Sequence, residues 1–265
     1  MEKITCIVHT FNSEKYLDQC LAHLSWADEI LLIDMYSTDR TLDIAKLHGC
    51  KILMHENVGY VEPARQFGVN KSSNDWIMSV DSDEIVPLAL AKQLKKVANE
   101  NSSDVVKISF RNYFFGKEII GSGWSYKDQV IPRFFNRNYL TYGSKIHSSS
   151  KILEGARVAK IIDKDKSILH FNYDSVEQFI SKLNRYTNVE SRDDRYVGSI
   201  KRRMLYQFLR EFFGRLIVKK GYKDGWLGIY LSFAMAFYRM TAIAKANLDS
   251  NNVENINNEI AADTK

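Results

Sequence analysis

Cysteine is scarce. Cys6, Cys20 and Cys50 are the only three in 265 residues, and all fall in the first fifth of the chain. An odd number without metal-ligand spacing excludes a disulfide framework and a cysteine-based zinc site, and reads as reduced, structural thiols in a cytosolic setting. Nor is there a basic and apolar leader: MEKITCIVHT enters strand pattern directly, so no secretory signal is expected. A Gly-rich phosphate loop near the start is missing too, since HTFNSEKYL offers no glycine. That argues against a sugar nucleotidyltransferase, which would need one. Acidic residues are nearly absent from 198–223, where Lys201, Arg202, Arg203, Arg210, Arg215, Lys219, Lys220 and Lys223 meet only Glu211. The formal net charge of +5 is therefore mainly a property of the last third.

What is present begins with alternation of strands and helices. Ile4–Thr10 is rich in β-branched residues, and Asn12-Ser13 can cap a helix with Leu17, Leu21 and Leu24 on one face. Glu29–Asp34 is a second buried-strand run, followed by the cap formers Ser37-Thr38-Asp39 and a helix that Gly49 can end. Lys51–His55 repeats the strand and 63–71 the helix. This spacing predicts an α/β domain with a doubly wound, mostly parallel sheet. In such a sheet the ligand lies beyond the carboxyl ends of the strands, here near Thr10, Asn12, Asp34, Asp39 and the acidic turn 81–84.

That turn closes the apolar run Trp76–Val80 with Asp81, Asp83 and Glu84, three carboxylates in four residues. They would repel one another unless a cation sits between them, and two acids at i and i+2 suit Mg2+ or Mn2+. The alternative is an acidic turn that caps the following helix through its dipole, with Asn12 and Asp39 likewise serving only as caps.

The ordered set HTFNSEKYL, LLIDMYSTDRTLDIA, PARQFGV and WIMSVDSDEIV resembles the nucleotide-sugar domain of family 2 glycosyltransferases, the inverting GT-A fold. The resemblance implies that Thr10, Asn12, Asp34 and Asp39 surround the nucleoside of a nucleotide diphosphate sugar, expected to be UDP-linked, and that Arg65 approaches its base or phosphates. It implies further that Asp81 and Asp83 bind the metal diphosphate. Met35, Tyr36 and Arg40 depart from the family pattern. GSGWSYKDQVIPRFF and GSKIH are similar, more loosely, to segments of the lipopolysaccharide-core β-glucosyltransferases, with Ser148 where that subgroup has Glu. An inverting transfer needs a base for the acceptor hydroxyl. Asp128 is the first candidate, and His147 the second, either as base or as a further metal ligand. Trp124 is a candidate for stacking on a sugar face or a half-buried core residue.

In the last third, basic residues interleave with Leu205, Phe208, Leu209, Phe212, Phe213, Leu216 and Ile217, a pattern for a helix in an anionic membrane interface. No nucleic-acid reader motif accompanies it. Trp226–Ala244 is 19 residues long, near the length of a span, but Arg239 and the tyrosines favour a docked or interfacial helix. The expected organisation is a catalytic domain over 1–170, a basic amphipathic helical region over 171–246 and a disordered tail over 247–265. Within the catalytic domain, residues 1–100 are expected to serve the nucleotide sugar and residues 101–170 the acceptor. The expected activity is a hexosyl transfer to a cell-surface glycan or glycolipid such as lipopolysaccharide core, by a protein peripheral on the inner face of the cytoplasmic membrane. A silent membrane-surface glycan-binding module is the competing reading.

Overall fold

The computed structural model describes residues 1–58, 61–143, 150–191 and 200–248, with 200–203 and 248 described by backbone alone. The chain forms two compact units, one from residues 1–112 and 126–172, the other from 113–125 and from Tyr173 on. The expected 101–170 block is thus not contiguous: its residues 113–125 belong with the helices.

The first unit is built on β1 (Ile4–Thr10), every residue of which is buried. It pairs in parallel with β2 (Glu29–Asp34) on one side and β4 (Trp76–Asp81) on the other, and β2 pairs in parallel with β3 (Lys51–Met54). Side chains alternate across these strands. Cys6, Val8, Leu32, Met78 and Val80 face a core completed by α1 (Glu14–Ala22) and α4 (Leu88–Glu100), with partly buried residues of α2 (Thr41–Leu47) against it. Ile7, Leu31, Ile33 and Ile77 face a second core with α3 (Glu62–Lys71). Helices on both faces make this the doubly wound arrangement expected. At Gly68 a Cβ would lie 2.7 Å from a methyl of Ile7, so α3 rests directly on β1.

Beyond β4 the sheet turns mixed, by addition of β5 (Glu84–Ile85), β6 (Val105–Phe114), β8 (Val130–Asn136) and β12 (Ile168–Tyr173). Its order among the described residues is β3-β2-β1-β4-β8-β6-β12-β5. β8 is antiparallel to both β4 and β6, and β11 (Val158–Ile161) adds to β6 in parallel. A separate ribbon joins β9 (Leu140–Thr141) to β10 (Lys151–Ile152). β2 and β4 leave β1 on opposite sides, so the carboxyl end of β1 is a topological switch point, where doubly wound sheets open a crevice.

The second unit opens with a tight hairpin. Phe115 and Gly116 both have positive φ (55° and 76°), as a two-residue turn requires, and Tyr113 and Phe114 pair with Glu118 and Lys117 of β7 (Lys117–Glu118). The helices follow as α5 (Val176–Glu190), α6 (Ile200–Phe213) with a π turn over Gly214–Val218, and α7 (Trp226–Leu248). Ser175 caps α5 by accepting the Gln178 N–H. Phe114, Ile119, Phe179, Leu227 and Leu231 form the core. The loop after β7 is bolted to the helices, because Ile120 and Gly121 donate N–H to Asp224 at 2.8 and 3.0 Å and Arg215 donates to the Ser122 carbonyl at 2.6 Å. Trp124 packs in this cluster, 4.4 Å from the Arg215 guanidinium and 5.0 Å from Phe114. Of its two expected roles, the core one is what the structure shows. The tail boundary expected at residue 247 is corrected, since Asn247 and Leu248 are still helical, and 249–265 lie outside the described residues.

Candidate active site

The crevice is assembled from three strand ends. Asn12, just after β1, and Tyr36, just after β2, take left-handed backbone (φ 48° and 62°), and both loops fold back on each other. Asp34 is fully buried and accepts from Thr10 Oγ1 (2.8 Å), Ser37 N–H (2.8 Å) and Ser37 Oγ (2.6 Å). Thr10 is 1% exposed. These two residues, expected beside a nucleoside, are buried in the crevice floor and bonded to its loops. Asn12 accepts the Thr38 N–H at 2.8 Å, and Asp39 accepts from Thr41 and from the Glu14 N–H at 3.1 Å. Asp39 thus caps α2 and, across the crevice, α1. Burial works against its charge, but these donors outweigh it and keep the carboxyl below the usual range. Asn12 remains exposed and Asp39 partly so, at the rim.

The acidic turn is tied to the same floor by Ser82 Oγ donating to Ser13 Oγ at 2.9 Å. Its carboxylates part ways. Asp81 receives Arg65 Nη2 on both oxygens (2.7 and 2.9 Å) and Arg133 Nη2 at 2.8 Å, while Arg65 Nη1 also donates to Ser79. Burial would raise Asp81, yet Arg133 and Arg65 hold it well below the ordinary carboxylate range. The positive charge required between these acids is thus supplied by the chain, through three hydrogen bonds from Arg65 and Arg133 to Asp81. Glu84 is fully buried, accepts Arg133 Nη2 at 2.6 Å and the Asp81 N–H at 2.9 Å, and is pushed up by burial to about 7. None of the three acids caps α4, whose N-terminal residue Pro87 makes no side-chain cap.

Asp83 turns the other way. Its Oδ1 lies 3.6 Å from Nε2 of His170, and both side chains are partly exposed. His170 is brought there by register, opposite Glu84 where β12 meets β5, and the Phe171 N–H donates to the Asp83 carbonyl at 3.0 Å. Burial would lower His170, but Asp83 outweighs it and raises the imidazole above its usual value. Two donors of one octahedral cation stand on the order of 3 Å apart, so a carboxylate and an imidazole at this separation fit a divalent ion with water in its remaining positions. Among the described residues no larger cluster of metal-ligating side chains occurs.

An open pocket of ≈490 Å³ adjoins Arg65 and Arg133, walled by Lys107, Pro132, Tyr142 and Ile152. Asp128 is exposed in the turn that leads into β8, five positions ahead of Arg133. β8 runs antiparallel to β4, so this turn is at the Asp81 end of the sheet. His147 lies outside the described residues. Glu84 was expected here as one of the three acids of the turn, whereas Arg133 and His170 had no expected role. Arg133 lies within the stretch GSGWSYKDQVIPRFF, whose resemblance pointed to this region, but nothing local to His170 distinguishes it from a strand histidine.

The profile of Glycosyl transferase family 2 matches residues 5–153. A glycosyltransferase of Rickettsia typhi is 23% identical over 276 residues, covering 96% of this chain and 90% of its own length. LpsC of Rhizobium meliloti, a lipopolysaccharide core biosynthesis glycosyltransferase, is 25% identical over 255 residues, covering 91% of each. The crystal structure of Staphylococcus aureus TarS superposes over 92% of this chain and 89% of its own, with 17% identity and a TM-score of 0.47.

Proposed function

This chain belongs to glycosyl transferase family 2 and is a glycosyltransferase of the GT-A fold; from that premise we propose that it moves a hexose, with inversion, from a UDP-linked donor to a glycan or glycolipid acceptor such as lipopolysaccharide core. The transfer takes place at the inner face of the cytoplasmic membrane. The similarity to LpsC along nearly the whole chain supports the core acceptor. The observation that carries the mechanism is the division of labour in the acidic turn, with Asp81 locked to arginines and Asp83 open beside His170.

Asp83 and His170 hold a divalent cation, Mn2+ or Mg2+, which when bound supplies positive charge to the donor diphosphate. Arg65 and Arg133, fixed by Asp81 and Glu84, add cationic charge at the end of β4, where negative charge gathers as the diphosphate departs. Fixing them beforehand removes the cost of orienting them during the reaction. Asn12 and Asp39 line the nucleoside rim. Asp128 takes the acceptor proton as its oxygen attacks the anomeric carbon, and its exposure leaves room for an acceptor to approach.

Donor hydrolysis measured with UDP-hexoses, with and without Mn2+, tests this reading. Turnover should require the metal, and His170→Ala should raise the Mn2+ concentration needed for half-maximal turnover while leaving the melting temperature nearly unchanged. Metal-independent turnover, or an unaffected His170→Ala, would remove the proposed cation site. Asp128→Asn should lower transfer on the order of a hundredfold with donor affinity unchanged; a silent variant would pass the role of base to the His147 segment.

A further inference from the structure

The second unit leaves large apolar side chains uncovered in a pattern. On α7, Trp226, Ile229, Phe233 and Phe237 are 67%, 52%, 53% and 56% exposed. Their spacing of three, four and four residues places them on one stripe. The opposite side of the helix is already used: Leu227, Leu231, Ala234, Tyr238 and Ala242 are buried. The polar groups of α7 turn toward α5, with Arg239 3.2 Å from Glu190 and Lys245 Nζ bonded to Asn184, Thr187 and Asn188. A helix committed in this way on one face is not a lone transmembrane span, although its length and composition would allow one.

The stripe is continuous with its surroundings. Phe233 meets the ring of Phe208 on α6 at 5.7 Å, and Phe208 stacks on Phe212 at 6.0 Å. On its other flank, Phe233 and Phe237 line a groove of ≈400 Å³ with Ile180, Leu183 and Tyr230. Ile180 is itself 54% exposed at that edge. Contiguous aromatic and aliphatic surface of this kind marks an interaction site. Charge indicates the partner. Lys219, Lys220 and Lys223 are exposed in the connection between the π turn and α7, and Lys117 stands 5.5 Å from the Trp226 ring. Arg215 and Glu211 pair with each other, and the seven other basic residues over 198–223 match an anionic headgroup layer rather than a neutral protein surface.

We propose that the α7 stripe is inserted in the interfacial layer of an anionic bilayer, with the α5–α7 groove receiving one lipid acyl chain. This deepens the proposed function, on which it rests, by naming the surface through which the enzyme meets a membrane-borne acceptor. Trp226 sits at headgroup depth beside the lysines, and Phe233 and Phe237 reach the hydrocarbon boundary. The segment Lys201–Lys223 adds long-range attraction, whereas the stripe supplies the apolar contact.

The test uses the full chain with phosphatidylcholine vesicles, with or without phosphatidylglycerol, some carrying brominated acyl chains. Trp226 fluorescence should be quenched on anionic vesicles, and the quenched component should vanish in Trp226→Phe. Phe233→Ser with Phe237→Ser should lower partitioning by about tenfold or more on anionic vesicles. Lys219→Glu, Lys220→Glu and Lys223→Glu together should abolish the preference for anionic over neutral lipid, and high salt should do the same. Ile229→Ser, at an exposed position, repeats the apolar test should the double variant fail to fold by circular dichroism. Absence of quenching, or wild-type partitioning by the apolar variants, overturns the proposal. So does a dimer in sedimentation that the same variants dissolve, which would make a second copy the occupant. Retention on vesicles after carbonate extraction would overturn it in favour of a span. Metal-dependent donor hydrolysis is read separately in every variant: its loss in the wild type would sink the functional reading and leave the lipid result standing.

Discussion

Asp81 and Asp83 are two residues apart and do opposite work. The first is an anion held between Arg65 and Arg133, with its side chain 27% exposed. Replacing it with Asn should leave buried Arg133 with Glu84 alone and cost about 1–3 kcal/mol of stability, read from denaturant unfolding. Asp83→Asn should do the reverse, leaving unfolding unchanged while lowering metal-dependent turnover on the order of a hundredfold or more. If both variants lost stability equally, the division between them would be wrong. His9 adds a pH prediction. It is 4% exposed on β1, and burial together with nearby Arg65 pushes it down to about 3. Its folded pKa lies below its unfolded value of 6.5, so the stability it contributes is fully present above pH 6.5 and is lost as pH falls toward 3. Between pH 6.5 and 5 that loss is about 2 kcal/mol at 1.36 kcal/mol per unit. His9→Leu should flatten the unfolding free energy over this range, and an unchanged slope would show that other groups set the acid sensitivity.

At the scale of elements, what could be read in the sequence was what is local. β1, β2 and β4 announce themselves as apolar runs, and the helices after β1 and β2 by their cap formers. The acidic turn was legible as a site, but its counter-ions were not, because Arg133 reaches Asp81 only through the antiparallel pairing of β8 with β4. His170 was hidden for the same reason, since its place beside Asp83 is set by the register of β12 on β5. The helix connection in the second unit was also invisible: a Cβ at Gly228 would lie 1.8 Å from the Gly221 carbonyl oxygen, a close approach between α7 and the turn before it. Gly228→Ala cannot be relieved by a side-chain rotation, so it should cost about 2 kcal/mol or more by overpacking. Thermal unfolding checks this, and an unshifted melting temperature would mean that the turn yields freely.

For the whole molecule, the chain crosses between its two units at 112/113, 125/126 and 172/173, so neither is a continuous segment. Such exchange is hard to read from composition, because Tyr113–Ser125 looks like a simple continuation of the β6 strand. Its partners lie far along the chain: Phe114 packs with Phe179, Gly121 is held by Asp224, and Trp124 by Arg215. A protein ending at residue 172 would therefore keep Phe114, Ile119 and Trp124 while losing the side chains that cover them. Exposed apolar surface of that kind drives association. The truncated chain should run as aggregate on gel filtration, whereas the same truncation with 113–125 replaced by a Gly/Ser linker should give a monomer. The linker version keeps Asp81, Asp83, Arg65, Arg133 and His170, all of which belong to the first unit. It should accordingly retain slow metal-dependent donor hydrolysis, while losing the vesicle binding assigned to α7. A monomeric, folded 1–172 with its native 113–125 would show that this segment does not need the helices, and the two-unit account of the chain would have to be redrawn around a different boundary.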